Sequence, residues 1–225
     1  MLQHVYERAS QAKYLTSTII ATDDNRVYEA ARSFGARVRM TRSDHLSGTD
    51  RVAEVASAES APIVVNIQGD EPLIDPAAID AAILPLVHEP GIVMGTLKKK
   101  IEMHREIADP NVVKVVTNQA GDAIYFSRCP IPFCRGAQTA EPVSYFKHIG
   151  LYVYQLDFLL GYSNLPVGPL ERAERLEQLR ALENGYRIRV VETDYESWGV
   201  DTPEDLKRVS GLMEALNMRG ITQNG

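Results

Sequence analysis

The sequence predicts an α/β fold: a Rossmann-like, doubly wound mixed sheet with an antiparallel hairpin extension. Three observations predict it. Short apolar runs alternate with amphipathic segments through the first half, at the spacing of strand–helix units. Two of those runs, "IIATDD" and "VVNIQGDEP", end in acid-bearing turns, and ligands of such sheets sit beyond the carboxyl ends of the strands. In the second half a Gly-containing turn joins two strand-like runs, which reads as a hairpin.

The elements follow in order. Leu2, Val5, Tyr6 and Ala9 fall on one face of a helix. "STIIATDD" reads as a short strand ending at Ala21, and "NRVYEAARSFG" as a helix closed by Gly35. "ARVRMT" alternates as a strand, and "SGTDRVAEVASA" opens a helix at the Ser47–Thr49 cap region. A buried strand over 63–67 precedes a helix led by Pro76 and running to about Val87. Strands over 112–117 and 123–127 form the hairpin, and "FKHIGLYVYQ" is a further strand. "GPLERAERLEQLRALENG" reads as one long helix ending at Asn184–Gly185, with a strand after it. The last helix starts on Thr202 as cap, Pro203 and Asp205. Residues 1–216 therefore read as one domain with a hairpin region at about 112–147, and the tail over 217–225 is expected to fray. One irregularity stands out: an α/β sheet normally opens with a strand, and here a helix comes first.

Composition removes several classes. With 225 residues, 44 % of them hydrophobic, the chain can bury a core. A net charge of −6 argues against a nucleic-acid or anionic-membrane partner. No run of 18 apolar residues and no basic-then-apolar leader is present, so the expected location is cytoplasmic. Cys129 and Cys134 read as free thiols. The sequence has no G-x-G-x-x-G, no Walker A and no G-x-S-x-G motif.

What remains is a set of polar groups at strand and helix ends. Mg²⁺ is usually held by one or two carboxylates, with phosphates and waters completing its shell. Asp70 and Asp201 are candidates for that pair, although pattern alone favours a turn for Asp70 and an accessory cap for Asp201. "SDHLSGTDR" places Ser47 and Gly48 at a helix start suited to an anion, with Arg51 in the first turn, where the helix dipole favours acids instead. Period two puts His148, Gly150, Tyr152 and Tyr154 on one face of their strand, either lining a ligand or facing solvent. Arg128 can neutralise a carboxylate or phosphate, or pair with a surface acid. On the long helix, Glu174, Glu177 and Gln178 lie opposite Leu176 and Leu179, as a solvated face unless another layer covers it.

Together "IIATDD", "TRSDHLSGTDRVAEV", "VVNIQGDEPLID", "AIYFSRCPIPF", "KHIGLYVY", "LERAERLEQLRALENG" and "GVDTPEDL" occur in the order found in the 3-deoxy-manno-octulosonate (KDO) cytidylyltransferases. The chain resembles that family over about residues 1–212. The resemblance implies transfer of the cytidylyl group of CTP to KDO, with release of diphosphate, for lipopolysaccharide biosynthesis. It implies Mg²⁺ on Asp70 and Asp201. Gln68, Arg128, His148, Tyr152, Glu177 and Gln178 would line the acidic-sugar pocket, with Arg128 a partner for the KDO carboxylate. Thr22, Asp23, Ser47, Gly48 and Arg51 would lie near the cytidine and its phosphates. A homodimer built partly through the hairpin is also implied.

Members of the family begin with a strand and a basic phosphate-binding loop ahead of the helix that opens this sequence. The expectation is therefore an N-terminally shortened version with little or no activity, since Arg51 alone could not neutralise the triphosphate. Two other readings compete: a cytidylyltransferase for another acidic sugar of the sialic-acid type, and a non-catalytic nucleotide-binding or dimerisation remnant.

Overall fold

The computed structural model describes residues 1–135 and 143–222, residues 216–222 by backbone alone. The first half alternates as its pattern requires: α1 (Leu2–Ala9), β1 (Ile20–Thr22), α2 (Asn25–Ser33), β2 (Val38–Met40), α3 (Gly48–Ala56), β3 (Ile63–Asn66) and α4 (Pro76–His88). Local chemistry explains the boundaries. The side chains of Asp24, Ser47 and Asp75 cap α2, α3 and α4 by accepting from the main-chain N–H groups of Arg26, Asp50 and Ala77. Gly35 closes α2 at φ 79°, a conformation that costs glycine little.

The second half continues with β4 (Met94–Lys100), α5 (His104–Ala108), β5 (Lys114–Thr117), β6 (Ala123–Ser127) and β7 (Phe146–Gln155). It closes with α6 (Leu156–Tyr162), α7 (Pro169–Glu174), α8 (Leu179–Glu183), β8 (Ile188–Glu192) and α9 (Pro203–Thr222). At the start of α9, Thr202 and Asp205 cap each other reciprocally, side chain to main chain, each at 3.1 Å.

β7 is the hub of the sheet. Among the described residues the order is β6–β5–β7–β4–β8, and β3 also pairs with β7. β3 and β4 both run antiparallel to β7, and β8 runs parallel to β4, so β3, β4 and β8 share one direction. Their carboxyl ends and the amino end of β7 therefore lie along one edge of the sheet. β1 and β2 pair in parallel as a separate two-stranded sheet.

Both faces of β7 are covered. Ile149, Leu151 and Val153 pack with Val5, Ile79, Ile83 and Leu86 from α1 and α4. On the other side Tyr154 packs with Phe126, Leu159, Tyr162, Leu176 and Leu179. A solvent-facing strand is thereby excluded: Tyr154 is buried, and Tyr152 packs at the margin of this second core.

Two expectations need correction. The long helix over 168–184 is broken: Arg175 adopts φ 52°, ψ 49°, and α8 begins at Leu179. Arg128 holds the break by donating from Nε to the carbonyl of Glu174 at 2.8 Å and from Nη2 to that of Arg175 at 3.5 Å. A left-handed arginine fixed by a distant side chain leaves no trace in periodicity. The tail over 217–225, expected to fray, continues the backbone of α9 as far as Thr222, and 223–225 lie outside the described residues. Strand β4 and helices α5 and α6 were not expected; the lysine-rich end of β4 hides its apolar start. Part of the expected hairpin region, 136–142, lies outside the described residues.

Candidate active site

The two halves of the chain meet beyond the carboxyl end of β3. Val200 donates its main-chain N–H to the carbonyl of Asp70 at 3.0 Å, which brings the segment carrying Asp201 beside the turn carrying Asp70. Glu71 reinforces the junction. Its buried carboxylate accepts from Tyr195 Oη at 2.9 Å and Ser197 Oγ at 2.7 Å. Burial pushes its pKa up, the two hydroxyl donors pull it down, and the neighbouring Asp70 charge adds to the rise. A second anchor is Lys147, nearly buried, which donates to Glu106 at 3.1 Å and also to Glu196.

Asp70 is half-buried and Asp201 exposed, and neither carboxylate has a hydrogen-bond or ion-pair partner among the described residues. Two unpaired carboxylates carried on adjoining segments suit a hard cation that draws its remaining ligands from phosphate and water. Among the described residues no cluster of three or more His, Cys, Asp or Glu forms a protein-only cage. Gln68, before the turn, is exposed.

His148 lies at the amino end of β7, opposite Lys98. Its Nε2 is 2.9 Å from Thr96 Oγ1, and Phe126 and Tyr152 flank the ring at 5.0 and 5.4 Å between centroids. Burial drops its pKa to about 3, so the ring is neutral at pH 7. The ring borders a cleft of about 870 Å³, lined also by Lys99, Lys100, Gly150 and Trp198.

Glu177 and Gln178 follow the break at Arg175. The main-chain carbonyl of Glu177 accepts from Tyr162 Oη at 2.7 Å, and its carboxylate is 3.4 Å from Ser47 Oγ. Burial raises the Glu177 pKa against the opposing hydrogen bond from Thr49. Gln178 is 3 % exposed, and its Nε2 has no hydrogen-bond partner among the described residues. A buried amide without an acceptor is costly and marks a place where a ligand oxygen would fit. Glu174 is separated from this pair: its carboxylate accepts from Ser127 Oγ at 2.6 Å and from the main-chain N–H of Arg128 at 2.9 Å.

Arg128 is more committed than its sequence suggested. Three of the five N–H donors of a guanidinium go to the carbonyls of Glu174, Arg175 and Pro110, which leaves two for an anion. Arg51 is likewise engaged, with Asp23 at 3.0 Å and Thr41 Oγ1 at 2.5 Å. The buried Thr22 supports this group: its hydroxyl accepts from the N–H of Asp24 at 3.1 Å, and its carbonyl from the N–H of Thr41 at 2.9 Å. Gly48 is the first residue of α3, and the 3.4 Å contact between Ser47 and Glu177 joins the Thr22–Arg51 group to the Glu177–Gln178 group.

Residues that sequence reasoning missed are Thr96, Tyr195, Ser197 and Lys147. All are buried or partly buried and act through partners far along the chain. None carries a local signal.

Comparison with known proteins then identifies relatives. The cytidylyltransferase family profile matches residues 1–188. The chain is 80 % identical over 221 residues to a 3-deoxy-manno-octulosonate cytidylyltransferase of Solibacter usitatus, covering 98 % of this chain and 87 % of the relative. It is 56 % identical over 217 residues to the Geobacter metallireducens protein of the same name, covering 93 % and 85 %. Among solved structures it is similar to a CMP:2-keto-3-deoxy-manno-octonic acid synthetase complexed with CTP, at TM-score 0.89 and 44 % identity, covering 95 % of this chain and 87 % of that one. A 4-diphosphocytidyl-2C-methyl-D-erythritol synthase of Anaerococcus prevotii, 10 % identical at TM-score 0.60, shares the fold.

Proposed function

The chain belongs to the 3-deoxy-manno-octulosonate cytidylyltransferase family, and from that membership we propose that it joins the cytidylyl group of CTP to KDO. The anomeric oxygen of the sugar forms a bond to the α-phosphorus, the bond from that phosphorus to the bridging oxygen breaks, and diphosphate departs with the electron pair. The hydroxyl proton passes to solvent. The product, CMP-KDO, would serve lipopolysaccharide synthesis, and the cytoplasm is the compartment we propose, as the one that supplies CTP.

The observation that carries the reading is the junction of Asp70 with the Val200–Asp201 segment, because in-line phosphoryl chemistry needs negative groups to hold the cation that screens the phosphates. Asp70 and Asp201 would hold Mg²⁺, which when bound neutralises charge on the α-phosphate and diphosphate. Around that centre the chain's own residues orient the substrates. Thr22, Asp23, Ser47, Gly48 and Arg51 would hold the nucleotide, with the Arg51–Asp23 pair fixing the guanidinium. Gln68, His148, Tyr152, Glu177 and Gln178 would hold the sugar, the unpartnered Nε2 of Gln178 supplying a donor. The two remaining donors of Arg128 suit the sugar carboxylate. We also propose a homodimer through the hairpin side, where Ile124 and Phe133 are exposed by 60 % and 88 %.

The deciding experiment combines the chain with CTP, KDO and Mg²⁺ and follows diphosphate release and CMP-KDO by mass. Preference for a sialic acid over KDO would replace the acceptor, and absence of both CTP binding and turnover would leave a non-catalytic member of the family.

A further inference from the structure

Thr96 is fully buried in β4, at the point where its pairing with β7 slips. Thr96 faces Tyr152, but the next residue, Leu97, faces Ile149, which leaves Gly150 and Leu151 as the extra length of a bulge. The slip turns two carbonyls toward the Thr96 hydroxyl, those of Ile149 at 3.1 Å and Leu151 at 2.8 Å. His148 Nε2 is its third neighbour, at 2.9 Å.

A hydroxyl owns one proton and two lone pairs, and a carbonyl can only accept. The Thr96 proton therefore goes to one of the carbonyls. His148 Nε2 must then supply a proton of its own. The reverse arrangement, with Thr96 donating to a bare Nε2, would set its lone pairs against two carbonyls with no proton between them, in a place that water does not reach.

We propose that Thr96 is a positioning residue that fixes His148 as the Nε2–H tautomer, so that Nδ1 is presented as an acceptor for a hydroxyl of the acidic sugar. Nδ1 has no partner among the described residues and is not among the fully enclosed unsatisfied atoms, and the ring borders the cleft beside Gly150. A neutral ring with a bare nitrogen selects hydroxyl donors over carboxylates, so His148 would recognise the polyol part of the substrate and leave its carboxylate to the cations. The ligand half of the inference rests on the reading of this cleft as the sugar pocket; the tautomer half does not.

Long-range ¹H–¹⁵N spectra of the full chain labelled at histidine test both halves. The chain has five histidines, and the spectrum of His148→Gln assigns the signal. At pH 7 the expected pattern is a protonated Nε2 and a bare Nδ1, with the Nδ1 resonance moving when KDO is added. Thr96→Val should yield a mixed or inverted tautomer and weaken KDO binding about tenfold, and Thr96→Ser should restore both. A wild-type ring protonated at Nδ1 or at both nitrogens overturns the proposal, as does a Thr96→Val variant with an unchanged tautomer. Should Thr96→Val not fold, the wild-type and Thr96→Ser spectra still decide. The expected tautomer with an Nδ1 resonance indifferent to KDO overturns the ligand half and, with it, the placement of the sugar.

Discussion

Ser197 donates its hydroxyl to Oε1 of Glu71 across 2.7 Å, and Tyr195 donates to Oε2 of the same carboxylate. One buried acid thus ties the turn after β3 to the segment after β8. Glu71→Ala leaves two hydroxyls without their acceptor and should cost about 2–4 kcal/mol. Glu71→Gln retains one acceptor and should cost less. Chemical denaturation of both variants, with Ser197→Ala completing a double-mutant cycle, measures the link; a coupling below about 0.5 kcal/mol would show that the contact is incidental.

Asp70 and Asp201 should separate activity from stability. Neither carboxylate is paired among the described residues, so Asp70→Asn and Asp201→Asn should leave the melting temperature within a degree or two. Turnover should fall roughly 100-fold or more, equivalent to about 3 kcal/mol of lost transition-state stabilisation. Binding of Mn²⁺ in the presence of CTP, followed by its electron paramagnetic resonance signal, should weaken in parallel.

Gln178 predicts the opposite trade. Its Nε2 is buried without a partner among the described residues, so Gln178→Leu removes an unmet donor and should hold stability level or raise it by about 1 kcal/mol. The same change should raise KM for KDO about tenfold while sparing KM for CTP. A melting curve and initial rates against each substrate read both effects.

His148 gives the chain a defined acid sensitivity. Its folded pKa is depressed to about 3 from an ordinary 6.5, so between those values the unfolded chain binds a proton that the folded ring refuses. Stability attributable to this group is therefore intact above pH 6.5 and declines as pH falls, by up to about 1.4 kcal/mol per unit. The difference in unfolding free energy between wild type and His148→Gln, measured from pH 7 to pH 5, should shrink toward the acid end. A constant difference would mean that the ring protonates freely in the folded state.

Sequence alone was informative wherever the cause of structure is local. Ser47, Pro76 and Thr202–Asp205 announce their helices by capping and first-turn chemistry, and the helices begin where those residues say. The acid-bearing turn at Gln68–Glu71 was visible as the end of an apolar strand. What Glu71 binds was not, because Tyr195 and Ser197 come close only once β8 lies beside β4. The break at Arg175 was hidden for the same reason: its helix-forming neighbours continue a 3.6-residue pattern, and the interruption is enforced from Arg128. Thr96 shows the limit most clearly, since a threonine before a run of lysines carries no mark of the bulge it fills.

The central position of β7 also has a consequence in time. Ile63 pairs with Gln155 and Met94 with Tyr154, so during synthesis β3 and β4 leave the ribosome well before the strand that joins them. Until residue 155 emerges, both expose unsatisfied edges to any other nascent chain. Pairing at such sequence separation closes slowly, and an interrupted chain that ends before β7 is the species most exposed to aggregation. Translation stalled near residue 140 should yield insoluble product, whereas a stall well beyond β8 should leave a chain able to complete its sheet.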